Sequence, residues 1–178
     1  MLSWLKNTLL AKYVNENNGI RNKKVSSLKQ AKSIGIVTTI ADEESYRSVF
    51  SIFSTLQREN RTVKLVAYID EKEVPFFCLK QLTADYFCRK DLNWYGKPAM
   101  VQVKDFMETE FDLLLDFSPH SYPAVRVILQ LSKAGFKIGA NPKHDSCYDL
   151  YITGANGEYQ TLFKHMDTYS HKLTGEAL

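Results

Sequence analysis

A chain of 178 residues, 44% hydrophobic and 24% charged, has an ordinary globular composition and is long enough to bury one core without disulfides or metal. Its three cysteines, Cys78, Cys88 and Cys147, form no CxxC and leave an odd thiol, which argues against a disulfide scaffold and suits a reducing cytoplasm. The formal charge of +3 hides an asymmetry, since residues 1–32 carry +6 and the remainder −3, so a basic balance is poor support for nucleic-acid binding by the folded part.

The arm opens MLSWLKNTLLAKYV, where Leu2, Leu5, Leu9 and Tyr13 recur at three- and four-residue steps, joined by Leu10 and Val14. That spacing predicts an amphipathic helix. NENNG stops it, and RNKKVSSLKQAK reads as a polar connector. From Ser33 the pattern changes. SIGIVTTI is a β-branched run of the kind found in strands buried on both faces.

Asp42 is placed to cap the next helix, whose apolar stripe is Tyr46, Val49, Phe50, Phe53 and Leu56. TVKLVAYID is a second strand, a loop containing Pro75 follows, and ADYFC is a shorter strand. VQVKDFMETE is helical with Phe106 inward, and FDLLLDF is the clearest buried strand, with Leu113 and Leu115 on one face and Leu114 on the other. YPAVRVILQLSKA, FKIGA, YDLYITG and EYQTLFKHMDTYSHKL then read as helix, strand, strand and closing helix. No apolar run reaches a membrane-spanning length and no signal-peptide pattern is present, so a cytoplasmic location is expected.

Alternation of this kind predicts a three-layer, Rossmann-like α/β domain over residues 33–178, with a mostly parallel sheet of about five strands. Residues 1–32, the amphipathic helix and basic linker, precede it.

Four stretches carry a family resemblance: DLNWYG at Asp91–Gly96, FDLLLDF at Phe111–Phe117, SKAGFKIG at Ser132–Gly139 and YDLYI at Tyr148–Ile152. They resemble an uncharacterised family of small Bacteroidetes proteins, a domain of unknown function, with D-I-S-W-F-G, F-D-L-L-I-N, S-K-A-K-F-K-V-G and N-D-L-M-I in these places. The resemblance implies the fold and no activity. A strand ending in Asp, a helix, Ser-Lys-Ala and a strand ending in Gly is also similar to the N-terminal domain of heptosyltransferase-type glycosyltransferases. Those enzymes use a second, nucleotide-sugar-binding domain for which this chain has no room. Asp42 lies near the place of their catalytic acid, but without its surrounding Gly-Asp pattern.

In an open parallel sheet, ligands bind outside the carboxyl ends of the strands. Thr38, Asp116, Ser118 and Thr153 are the ligand-binding candidates there, with Asp116 as acid or base if the site is enzymatic. The same residue types also cap helices and form turns. DFSPHSYP brings Asp116, Ser118 and His120 close in sequence, yet a catalytic hydroxyl and its base normally come from separate elements, so a capped loop with an exposed histidine is expected.

His144 and Cys147 have unhelpful spacing for a metal, as do His165 and His171. The Gly154–Gly157 stretch lacks a phosphate-binding spacing and reads as a turn. No catalytic set, metal or cofactor is therefore assigned. Trp94 and Tyr95 sit between turn formers. They could form a recognition surface, but the favoured reading makes Trp94 a lid over the sheet edge, its indole N–H bonded to a carbonyl.

These readings lead to a non-enzymatic cytoplasmic protein acting through binding or assembly. The alternative is a small-molecule-binding or glycosyltransferase-like enzyme working at the strand ends. The apolar surface of the first helix needs cover from the domain itself, from a second copy in a homodimer, or from a membrane surface. No aromatics are interleaved with the linker lysines for base stacking, which argues against nucleic acid.

Overall fold

The computed structural model of the chain describes residues 2–154 and 158–175. The predicted turn across 155–157 therefore lies outside the described residues. The elements are α1 (Leu2–Asn17), β1 (Ser33–Thr39), α2 (Glu43–Arg58), β2 (Thr62–Ile69), β3 (Ala84–Cys88), α3 (Val101–Glu108), β4 (Leu113–Asp116), α4 (Pro123–Leu131), β5 (Phe136–Gly139), β6 (Leu150–Tyr151) and α5 (Tyr159–Thr174). Short 3₁₀ turns follow β3 and β5, the latter at Pro142–Cys147.

All the strand pairs are parallel, and the sheet has six strands in the order β3-β2-β1-β4-β5-β6. This is the doubly wound, Rossmann-like order, in which the chain works outward from β1 in one direction and then returns from β4 in the other. All six segments read as strands are present, in keeping with a sheet of about five, and YDLYITG contributes only the two-residue edge strand β6. α2 and α5 pack together on one face, and α3 and α1 each pack on α4 on the other.

The strand pattern explains why both faces are covered. Leu113 and Leu115 join the cluster beneath α2 and α5, whereas Leu114 joins the one beneath α3 and α4. Strand periodicity thus gives β4 an apolar side chain for each layer, as expected. α2 begins as predicted, with the Asp42 carboxylate accepting from Ser45 N–H at 2.8 Å. It buries Tyr46, Val49, Ile52, Phe53 and Leu56, with Phe50 half-buried against the same cluster.

Two expectations about aromatic and apolar surfaces need correction. Trp94 is 60% exposed and its ring meets the neighbouring Tyr95 edge-on rather than covering the sheet edge, so the lid reading fails. The cause is the local turn: the Asn93 carboxamide oxygen accepts from the N–H of Tyr95 at 3.2 Å and of Lys97 at 2.9 Å, with Gly96 at φ 93°. This tight loop turns Tyr95 toward the α3/α4 core and leaves Trp94 outside. In α1 the buried pair is Leu10 and Val14, with Tyr13 packed beside them, while Leu5 and Trp4 remain exposed. The inward face of α1 is therefore narrower than the predicted stripe.

The segment between α1 and β1 has no regular structure, yet it is tied down along the N-terminal ends of the strands. Arg21 forms a bidentate pair with Asp149 at 2.6 and 2.5 Å, and Lys24 N–H donates to Gly135 O at 3.1 Å. Leu28 N–H donates to Ser170 Oγ at 3.2 Å, and Arg61 reaches the carbonyl of Leu28. Asp112, just before β4, accepts from the N–H groups of Lys32 and Ser33, both at 2.9 Å.

Candidate functional site

The site is built where β4 ends. Asp116, the last residue of β4, is essentially fully buried, and its carboxylate accepts three hydrogen bonds. Ser118 N–H donates to Oδ1 at 2.8 Å, the Tyr148 hydroxyl donates to Oδ2 at 2.5 Å, and His144 Nδ1 lies 3.2 Å from the same Oδ2. A carboxylate only accepts, so Nδ1 carries the proton and Nε2 is left as an acceptor. Nε2 is 2.9 Å from Ser121 Oγ, which therefore donates to it. His144 itself is fully buried, held in the 3₁₀ turn after β5 that Pro142 opens and Asn141 caps by accepting from Lys143 N–H at 3.0 Å.

One glycine makes this convergence sterically possible. A Cβ at Gly139, the last residue of β5, would overlap the ring of Tyr148. Without a side chain there, the tyrosine lies flat over the end of β5 and reaches Asp116. Burial, and then the neighbouring Asp116 carboxylate, hold the Tyr148 hydroxyl far above its ordinary pKa, so it acts as a hydrogen-bond donor throughout the accessible range.

Two cavities open at the carboxyl ends of the strands. One, of about 290 Å³, lies at the ends of β4, β5 and β6, with Ser118, Asn141, Tyr151, Thr153 and Tyr159 among its walls. The Asn141 side chain is already committed, donating to Ser118 O at 3.0 Å. Ser118 Oγ, by contrast, is buried and has no hydrogen-bond partner among the described residues. The other cavity, also about 290 Å³, lies at the ends of β1 and β2 and includes Thr39, Asp70, Arg89 and His120. Thr39 Oγ1 is a second buried oxygen without a partner. Arg89 grips Asp70 with two bonds of 2.8 Å and thereby holds that carboxyl below its usual pKa.

Of the four ligand-binding candidates, Asp116, Ser118 and Thr153 line the first cavity together. Thr38 does not join them: it is fully buried, its hydroxyl turned to the Thr39 carbonyl at 3.4 Å. Strand alternation puts Thr38 on the same face as Ile34 and Ile36, and its neighbour Thr39 is the residue that opens to a strand-end cavity. His120 is exposed, as expected of its loop. The histidine that does meet Asp116 is His144, which the sequence offered only as an isolated metal-ligand candidate. Its serine partner, Ser121, was not singled out at all. Their positions, 23 residues apart, gave no spacing by which to find them.

No group of three or more metal-ligating side chains occurs among the described residues. No described helix is long and apolar enough to cross a membrane.

A family model, "Family of unknown function (DUF6913)", matches residues 6–173, and the chain belongs to that family. No curated protein and no solved structure matches it.

Proposed function

For this member of a family of unknown function, we propose a cytoplasmic protein that works by binding a small, uncharged, hydroxyl- or amide-bearing molecule at the carboxyl ends of β4, β5 and β6. The observation that carries the reading is the Ser118 hydroxyl. It is buried without a partner and lines a cavity of about 290 Å³, and a buried polar group left unpaired costs on the order of 1–3 kcal/mol that a ligand can offset.

The chemistry of the walls narrows the ligand class. Among the described residues no lysine or arginine lines this cavity, so no side-chain cation there compensates a phosphate or carboxylate. The carboxylate of Asp116 already accepts three bonds and offers little to a cation. Tyr151 and Tyr159 supply flat apolar surface on which a sugar or similar ring would lie, while Ser118 and Thr153 supply hydroxyls. The cavity matches the small end of the range for ligand sites, about 300 Å³. Its place outside the carboxyl ends of a doubly wound sheet is where such folds bind ligands. The three cysteines are buried and unpaired, which suits a reducing compartment.

A thermal-shift panel of neutral monosaccharides, polyols and nucleosides, run beside their phosphorylated counterparts, tests the proposal. A neutral compound should raise the melting temperature in proportion to its saturation. Ser118→Leu, which fills the cavity, should remove the shift. A panel in which only phosphorylated compounds stabilise, or in which nothing does, overturns the reading.

A further inference from the structure

We propose that Ser121, His144 and Asp116 form a nucleophile–base–acid relay that gives this protein an acyl-transfer activity, with a carboxylic ester or thioester as substrate. The three side chains come from the loop before α4, the 3₁₀ turn after β5 and the end of β4, so distant parts of the chain meet. Ser121 Oγ is 2.9 Å from His144 Nε2, and His144 Nδ1 is 3.2 Å from Asp116 Oδ2. This is the order of contacts that activates a hydroxyl: nucleophile on base, base on an orienting carboxylate. The tautomer follows from the partners, since the carboxylate fixes the proton on Nδ1 and leaves Nε2 free to take one from Ser121.

The surroundings also differ between the two ends of the relay. Asp116 and His144 are buried, whereas Ser121 is only partly so and lines a cavity of about 560 Å³ between α1 and α4. That cavity is separate from the neutral one at the strand ends, and its walls suit a different ligand. Leu10, Val14 and Val127 give it an apolar side for an acyl group, and Arg126 and Lys143 give it positive charge for an anionic portion of the substrate. The first turn of α4 starts two residues beyond Ser121, with no side chain capping it. Pro123 opens that turn and has no N–H, so Ala124 and Val125 supply its N–H groups without a partner inside the helix, and the positive end of the helix dipole favours negative charge.

The step balances with water as the only co-reactant. Ser121 Oγ attacks the carbonyl carbon and forms the new C–O bond as its proton passes to His144 Nε2. The bond to the leaving oxygen or sulfur then breaks, and the leaving group takes that proton. Water repeats the sequence on the acyl-serine, releasing the carboxylic acid and restoring the serine hydroxyl. Asp116 is a positioning residue, holding the ring and stabilising the transient imidazolium. Tyr148, bonded to the same Oδ2, fixes the carboxylate in turn.

Treatment with a fluorophosphonate probe, followed by intact mass and peptide mapping, is the decisive experiment. One adduct on Ser121 is expected, absent in Ser121→Ala. Hydrolysis of p-nitrophenyl butyrate should fall by on the order of 100-fold or more in the same variant, the usual cost of losing the proton-transfer pair. Asp116→Asn should slow both reactions and alter their pH profile, because an amide permits the opposite histidine tautomer. A wild-type protein that takes no adduct on Ser121 overturns the inference. So does ester hydrolysis equally fast with and without the Ser121 hydroxyl. Mapping the adduct on the unaltered chain decides the matter even if a variant does not fold.

Discussion

At the N-terminal ends of the strands, the segment after α1 lies across the sheet and meets its partners one by one. Arg21 and Lys23 take up Asp149, and backbone N–H groups take up Asp112. At the carboxyl ends, the same sheet leaves Thr39 Oγ1 and Ser118 Oγ buried without partners, each beside a cavity. Both ends carry a cavity, but at the first the chain itself pairs the carboxylates, whereas at the second the two hydroxyls are left unpaired. Proteins pair their buried polar groups wherever stability alone is at stake. Where two hydroxyls go unpaired at the end of a parallel sheet that binds ligands by its topology, the unmet bonds point to function.

The largest effect should come from breaking a pair at the first end. Arg21→Ala leaves Asp149, whose side chain is about 12% exposed, without its bidentate partner. Lys23 and the Lys137 N–H still meet that carboxylate, so the loss should fall at the low end for a broken buried pair, about 3 kcal/mol, measurable as a lower urea midpoint at unchanged slope. A loss below about 1 kcal/mol would place the arm among loosely attached segments and erase the contrast.

A smaller effect is expected from pH. Lys137, at the second position of β5, is buried, and its ammonium donates to Leu129 O at 2.5 Å. Burial, then the nearby Arg21 guanidinium, lower its pKa from 10.5 to about 8. Between those values the unfolded chain holds a proton that the folded one has released, so this lysine's own contribution to stability should rise as pH increases, while the Cys78, Cys88 and Cys147 thiols, pushed up by burial, contribute in the opposite sense. The rise should be on the order of 2–3 kcal/mol. It is read as the difference between the wild type and Lys137→Met across this window, and profiles of equal slope in the two proteins would show the ammonium to be better solvated than its burial implies.

The smallest effect belongs to the carboxyl end. Ser118→Ala removes a hydroxyl with no partner, so stability should be unchanged or gain about 0.5 kcal/mol in the absence of ligand. A loss above about 1 kcal/mol would mean that the hydroxyl is already satisfied and that the two ends are finished alike.

The sheet was legible in the sequence because a parallel strand is buried on both faces and shows as an unbroken apolar run, as in FDLLLDF. The edge strand β6 was also read, as YDLYITG, but its length was not, because only Leu150 and Tyr151 pair. For Trp94 the turn chemistry was visible but its direction was not: Asn93 and Gly96 set which aromatic points inward. The strand ends were legible as a region, yet Thr38 and Thr39 differ only by the alternation of a strand whose last residue a sequence does not fix. Ser121 and His144 escaped because a contact between two loops leaves no periodicity in either.

The arm tied across the strand starts has a consequence for the order in which the molecule is made. Arg21 finds Asp149 across a separation of 128 residues, and the Leu28 N–H finds Ser170 across 142. The arm leaves the ribosome well before these partners and must wait for them before those contacts can form. Until α4 is complete the leucines of α1 have no finished surface to rest on, and until α5 is complete Leu28 has no Ser170 to meet, and closing so long a loop adds to the entropy of the search. The arm is made before the surface that fastens it.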